Sequence, residues 1–327
     1  MSFLMQSFLI TRRSGRMLLV IYLVSLVLGL LVALPFYNTL RAETGRSLAF
    51  DALLDGFDYT VFTDFMHVHG KAISPLLSVG RWVSVVYLFL SLFFTGGILM
   101  RFAEPNRYVS MGAFWQACSH YFRRYLALFA LVALTVALLA FIWLLTGTLL
   151  VMAFSDTLSE RELFWIGFSC FLAFVLMATL VLCIGDYAKV DMMRRDEPNA
   201  LRAFARASLL VIRHGRRTWG LYWLLLLIST GWFAVYLAFE GAIGMSSWTA
   251  IVLVFLIQQL FIFGRIGLKV VTLGVAWQVF DRLVPPPPVV YAGPVLTEAT
   301  TTTANDPING EPVEPTSGTG DTEKTAD

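Results

Sequence analysis

The chain has 327 residues and a formal net charge of +2; 57% of its residues are hydrophobic and only 14% are charged, at a mean hydropathy of +0.72. A soluble domain is about half apolar and about a quarter charged, so this composition excludes an ordinary water-soluble globule. Three cysteines (Cys118, Cys170, Cys183) show no spacing that suggests a disulfide framework or a metal knuckle.

The apolar residues gather in runs of about 20, which is what a hydrocarbon layer about 30 Å thick demands of a helix. A soluble core would break such runs with a polar face every few residues. The pattern predicts an all-α, polytopic transmembrane helix bundle of six spans: 17–37, 82–100, 126–151, 163–185, 219–239 and 248–269. Tyr37, Trp82, Trp165, Trp219 and Trp248 stand near the ends of these runs, where amphipathic rings settle at headgroup level. The membrane domain is read as 1–284, with 285–327 as a tail.

Arg12, Arg13 and Arg16 precede the first run. Such a flank also suits a signal peptide, but the apolar stretch that follows is longer than a usual core of about 7–15 residues. An uncleaved first span is expected.

Between the first two spans lies the main external segment, 38–81. Leu54, Phe57, Val61 and Phe65 recur at three- and four-residue spacing with Asp55, Asp58 and Asp64 among them, which predicts an amphipathic helix on the outer face. Asp58, Asp64, His67 and His69 are candidate metal ligands, because imidazole and carboxylate suit zinc and similar ions. The two histidines are two residues apart, a spacing better suited to a strand or turn than to a helix face. Solvated surface residues are the plainer reading.

The chain then repeats itself. Glu104-Pro105-Asn106 recurs as Glu197-Pro198-Asn199, and Arg123-Arg124 recurs as Arg216-Arg217. Both recurrences have an offset of 93 residues. A proline in the first turn of a helix and an arginine pair at its end predict cytoplasmic interface helices near 105–124 and 198–217. The result is a two-unit parallel repeat of span, interface helix and span, unlike the inverted repeats of many transporters. In the second interface helix Arg202, Arg206 and Arg213 fall within about 40° of one another, opposite Phe204, Ala207 and Val211. With Arg216 and Arg217 they are candidate lipid-headgroup contacts. Topology alone would also account for them.

Ionisable groups at membrane depth are costly and often functional. Asp186 ends the fourth span, and Arg265 and Lys269 lie near the cytoplasmic end of the sixth, where an Asp186–Arg265 ion pair is expected. Gln258 and Gln259 lie deeper and could bond between helices or line a polar path. Gly29 with Ala33, Gly96-Gly97, and Gly264 with Gly267 predict close helix packing.

Basic residues are concentrated on one side of this topology, at 12–16, 101–124 and 189–217. The positive-inside rule therefore predicts both termini in the cytoplasm. Pro285, Pro286, Pro287 and Pro288 open the tail as a stiff run. Beyond them, seven acidic residues face one lysine, so the tail carries about −6 and the body about +8. Such a tail is expected to be disordered, with solubilising or partner-docking use.

No phosphate-binding loop, zinc-protease motif or nucleophile elbow is present in the sequence. The basic loops carry no nucleic-acid motif. No cofactor is implied, and the reading leans toward a non-enzymatic protein. Gly96-Gly97-Ile98, FWQACSHYFRRYL from Phe114 to Leu126 and the stretch from Asp186 to Tyr222 resemble a family of uncharacterised bacterial six-helix inner-membrane proteins. Their layout is similar to the membrane domain fused to some glycerophosphodiester phosphodiesterases, whose catalytic domain has no counterpart in this chain. The resemblance implies a bacterial inner (plasma) membrane location and transfers no catalytic residue. The expected role is a membrane scaffold or transport-accessory subunit, its partners being membrane lipids and proteins reached through the interface helices or tail. The alternatives are a permease with a path along Gln258, Gln259 and Arg265, and a metal-dependent hydrolase using Asp58, Asp64, His67 and His69.

Overall fold

The computed structural model describes residues 2–44, 59–105, 110–243 and 248–284. Among them the chain forms eight helices: α1 (Ser2–Arg13), α2 (Gly15–Thr44), α3 (Tyr59–Ala103), α4 (Met111–Phe154), α5 (Glu160–Arg195), α6 (Ala200–Arg213), α7 (Gly215–Ala242) and α8 (Trp248–Leu283). Six of them, α2, α3, α4, α5, α7 and α8, are long and apolar enough to cross a membrane. The chain is an integral, multi-pass membrane protein. Asp58 and the tail 285–327 lie outside the described residues.

Local chemistry sets the helix ends. Ser110 caps α4 by accepting the Ala113 amide at 3.2 Å, and Asn199 caps α6 by accepting the Leu201 amide at 3.1 Å. The Glu162 carboxylate folds back to accept the Ser159 amide at 2.9 Å at the start of α5. Asp196 closes α5 in the left-handed region, φ 49°, donating its amide to Met192 O.

Among the described residues most of the buried core lies at one end of the bundle. Arg101, Arg124, Arg194 and Arg216 all lie at this end, called the basic end below. Leu92–Phe102 of α3, Phe114–Val132 of α4, Thr179–Met192 of α5, and Ile266–Phe280 of α8 supply most of the core there, with Ala203, Ala207 and Val211 of α6. Toward the far end, large apolar side chains such as Phe141, Leu144, Met152, Phe171, Phe239 and Phe255 are exposed. Lipid tails are as apolar as these side chains, so their exposure costs little in a bilayer.

Glycine makes the closest helix crossings. A Cβ on Gly96 would stand 2.8 Å from the Ala117 backbone oxygen, and one on Gly274 would stand 2.4 Å from the Phe102 ring and 3.1 Å from Ser7 Oγ. The first crossing joins α3 to α4. The second joins α8 to both α3 and α1.

The helices depart from the sequence reading in two ways. First, the external segment from Tyr59 onward is not a separate helix, because it runs without a break into the second span. Second, the interface helix expected near 105–124 is the first part of the 44-residue α4, so Arg123 and Arg124 sit mid-helix. At the equivalent place in the second half the chain breaks at His214-Gly215, and glycine is a poor helix former. Phe122 stands where that glycine would be, 93 residues earlier, and the helix continues.

A further sequence correspondence lies at the N-terminus. Offset by 200 residues, the α1–α2 segment matches the α6–α7 segment: Leu9 with Leu209, Arg13 with Arg213, Gly15 with Gly215, Arg16 with Arg216, and Tyr22 with Tyr222. Both helix pairs break at the same point, Ser14 and His214, and bury the same register, Ser7 and Thr11 against Ala207 and Val211. α1 itself packs on α8.

Candidate functional site

Charged side chains fasten the basic end. Asp191, 1% exposed, receives Arg195 Nε on one oxygen and Arg206 Nε on the other, each at 2.9 Å. Arg206 also donates to Glu197 Oε2 at 3.1 Å through both terminal nitrogens. Arg194 reaches Asp281 Oδ1 at 2.8 Å, which ties α5 to α8. Arg124 of α4 bonds Asp196, with His120 Nε2 at 3.9 Å from the same carboxylate. Arg101 Nε donates to Ser14 Oγ at 2.9 Å, which ties α3 to the α1–α2 break.

The hydrogen bond from Arg124 holds the Asp196 carboxyl below its usual range. The hydrogen bonds from Arg206 do the same for Glu197. Both carboxylates are therefore charged partners in these contacts at neutral pH. Arg206, read from sequence as a headgroup contact, is instead turned inward. Arg202, Arg213, Arg216 and Arg217 are exposed.

The sequence missed Asp191. Its spacing to Arg195 is one helical turn, a visible i, i+4 pair, but nothing in the sequence reveals that Arg206 folds back onto it.

A second polar cluster lies closer to the middle of the spans. Lys189 Nζ donates to Asp186 Oδ1 at 2.8 Å. The expected partner of Asp186 was Arg265; a lysine one turn away on the same helix takes that place. Lys269 donates to the Ser91 hydroxyl. Nor does Lys269 end its helix. α8 continues for another 14 residues to Leu283, because Val270, Val271, Leu273, Val275, Ala276, Val279 and Phe280 rebuild a buried apolar face. Ser91 stands ten residues before Arg101, about 15 Å along the helix axis.

Gln258 and Gln259 point to different neighbours. Gln259 Oε1 accepts from Tyr22 OH at 2.8 Å, binding α2 to α8, whereas Gln258 bonds Tyr236 of α7. Gln259 thus bridges α2 and α8.

At the far end, Asp64 and His67 are exposed within α3, and His69 belongs to the same helix. Among the described residues no group of three or more His, Cys, Asp or Glu side chains is placed to hold a metal. Cys118 and Cys183 are buried and free.

An open apolar cavity of about 530 Å³ lies between α4 and α5, lined by Trp143, Gly147, Val151, Gly167, Cys170 and Phe174. It has almost no polar lining and holds no candidate chemistry. Compared with known proteins, the chain matches no family model, no curated protein and no solved structure.

Proposed function

We propose that the chain is a non-enzymatic scaffold or transport-accessory subunit of the bacterial inner membrane, with the basic end and both termini in the cytoplasm. The resemblance to bacterial six-helix inner-membrane proteins supports the location, and the positive-inside rule supports the orientation.

One observation carries the role. Helix α6 is held to the bundle by Ala203, Ala207, Val211 and Arg206, yet its outward face exposes Leu201 (65%), Leu209 (71%) and Ile212 (69%) beside Arg202 and Arg213. An apolar strip edged by cations on a helix fixed in place complements a partner segment that offers apolar side chains flanked by carboxylates. That partner is a protein of the same membrane.

A photo-crosslinking residue at Leu209 tests this in intact membranes. The expected result is a discrete protein adduct whose partner segment is acidic and amphipathic. Leu209→Glu/Ile212→Glu, which leaves the buried face of α6 intact, is expected to cut recovery of that partner by about tenfold or more. Lipid adducts alone would contradict the scaffold role and leave α6 as a helix resting on the leaflet.

A further inference from the structure

The cluster around Lys269 has the wrong balance for a structural ion pair. At the basic end cations meet carboxylates: Arg195 and Arg206 on Asp191, Arg194 on Asp281, Arg124 on Asp196. Nearer the middle of the spans, among the described residues, Lys189, Lys269 and Arg265 lie near a single carboxylate, Asp186. Lys189 holds that carboxylate at 2.8 Å, each side chain being 21% exposed. Lys269 has turned to a neutral hydroxyl, that of Ser91. Arg265 stands one turn earlier on α8, on the same face as Lys269. Lys189, Arg265 and Asp186 all act electrostatically on Lys269. Two positive charges are therefore in excess.

Apolar helix flanks this cluster on both sides, with Ile262 and Phe263 before it on α8 and Val270 and Val271 after it. Excess charge in such surroundings needs a counter-ion. Lys269 and Arg265 are both exposed, so an anion can reach them without the bundle opening. An ammonium and a guanidinium one turn apart match two oxygens of one phosphate group, the guanidinium through its planar fork. The Ser91 hydroxyl adds a third polar contact.

We propose that Arg265 and Lys269 of α8, with Lys189 of α5 and Ser91 of α3, form a binding site for a phosphate-bearing anion, and that Asp186 is its internal counter-charge. The phosphate belongs either to a lipid headgroup entering from the side or to a small soluble anion. The site does not depend on what docks at α6.

The purified full chain tests this in nanodiscs of phosphatidylcholine, with and without phosphatidylglycerol. Native mass spectrometry reads retained phosphatidylglycerol. In parallel, the thermal midpoint in phosphatidylcholine discs is followed with inorganic phosphate against chloride at matched ionic strength. Retention of phosphatidylglycerol identifies a lipid source, and a phosphate-dependent midpoint identifies a soluble one. Arg265→Gln/Lys269→Gln is expected to weaken whichever response appears by about tenfold, whereas Lys269→Arg keeps it and Arg216→Gln/Arg217→Gln leaves it unchanged. Asp186→Asn is expected to strengthen binding, an outcome that a purely structural role for the cluster would not produce. If the double variant fails to fold, Asp186→Asn decides alone. The proposal is overturned if the wild type responds to neither probe, if the double variant binds like wild type, or if Asp186→Asn leaves binding unchanged or weaker.

Discussion

Asp191→Ala is expected to destabilise the bundle more than any other single side-chain deletion at the basic end, by about 3–5 kcal/mol. Asp191 is 1% exposed and accepts from two guanidinium groups, those of Arg195 and Arg206. Removing it leaves both cations without their shared carboxylate at a buried position. Arg206 would keep only Glu197, which lies at the solvent-facing edge. Helix α6 should then detach, since Ala203, Ala207 and Val211 offer it a small apolar contact.

Asp191→Asn should fall between, because its oxygen still accepts one hydrogen bond while its amide opposes the other guanidinium. Thermal unfolding of the detergent-solubilised protein measures the effect. A double-mutant cycle with Arg206→Ala should return a large coupling energy. An unchanged midpoint for Asp191→Ala would show that the charged lattice does not hold α6 in place.

Gly96→Val is the second large effect. The new Cβ would meet the backbone oxygen of Ala117 at 2.8 Å and Cys118 Cα at 3.2 Å, and neither atom belongs to a side chain that can swing aside. α3 and α4 would have to separate, disturbing the packing of Phe94, Phe114 and Cys118. The expected cost is about 3 kcal/mol, the upper part of the range for overpacked cores.

Gly29→Val is the matched control, since nothing lies within 4 Å of a Cβ there. It changes the same residue type within another span and should shift the midpoint far less. Equal losses in the two variants would mean that helix propensity, and not the α3–α4 crossing, sets the stability. Detergent resistance of the folded monomer by fluorescence size-exclusion gives a second readout.

The spans were legible because continuous apolar runs have few other uses. The same signal misled where a charge interrupted a run. Lys269 reads as the end of a span, yet α8 goes on for 14 residues with the next apolar face already prepared. α1 escaped notice for the opposite reason. Only 12 residues long, it contains no continuous apolar run, and its role appears only once Ser7 is seen beside Gly274.

The candidate sites were less legible than the spans. Sequence supplied Asp186, Arg265 and Lys269 as a group but mispaired them, because i, i+3 reach within one helix places Lys189 on Asp186 ahead of any residue of α8. Arg206 shared an angular face with Arg202 and Arg213, and periodicity cannot say that one edge of that face folds inward. Gln258 and Gln259 lie deep in the sixth span and read from sequence equally as bridges between helices or as a polar path. A 100° step between neighbours on a helix sends them to α7 and α2.

Cysteine labelling across α4 tests the central claim of the account, that this helix crosses a membrane with the basic end inside. In a cysteine-free background, Asp156→Cys should react with a membrane-impermeant maleimide in intact cells. Ser110→Cys, at the opposite end of the same helix, should react only after permeabilisation. Equal labelling of the two positions before permeabilisation would contradict the spanning bundle, and reversed labelling would contradict the orientation.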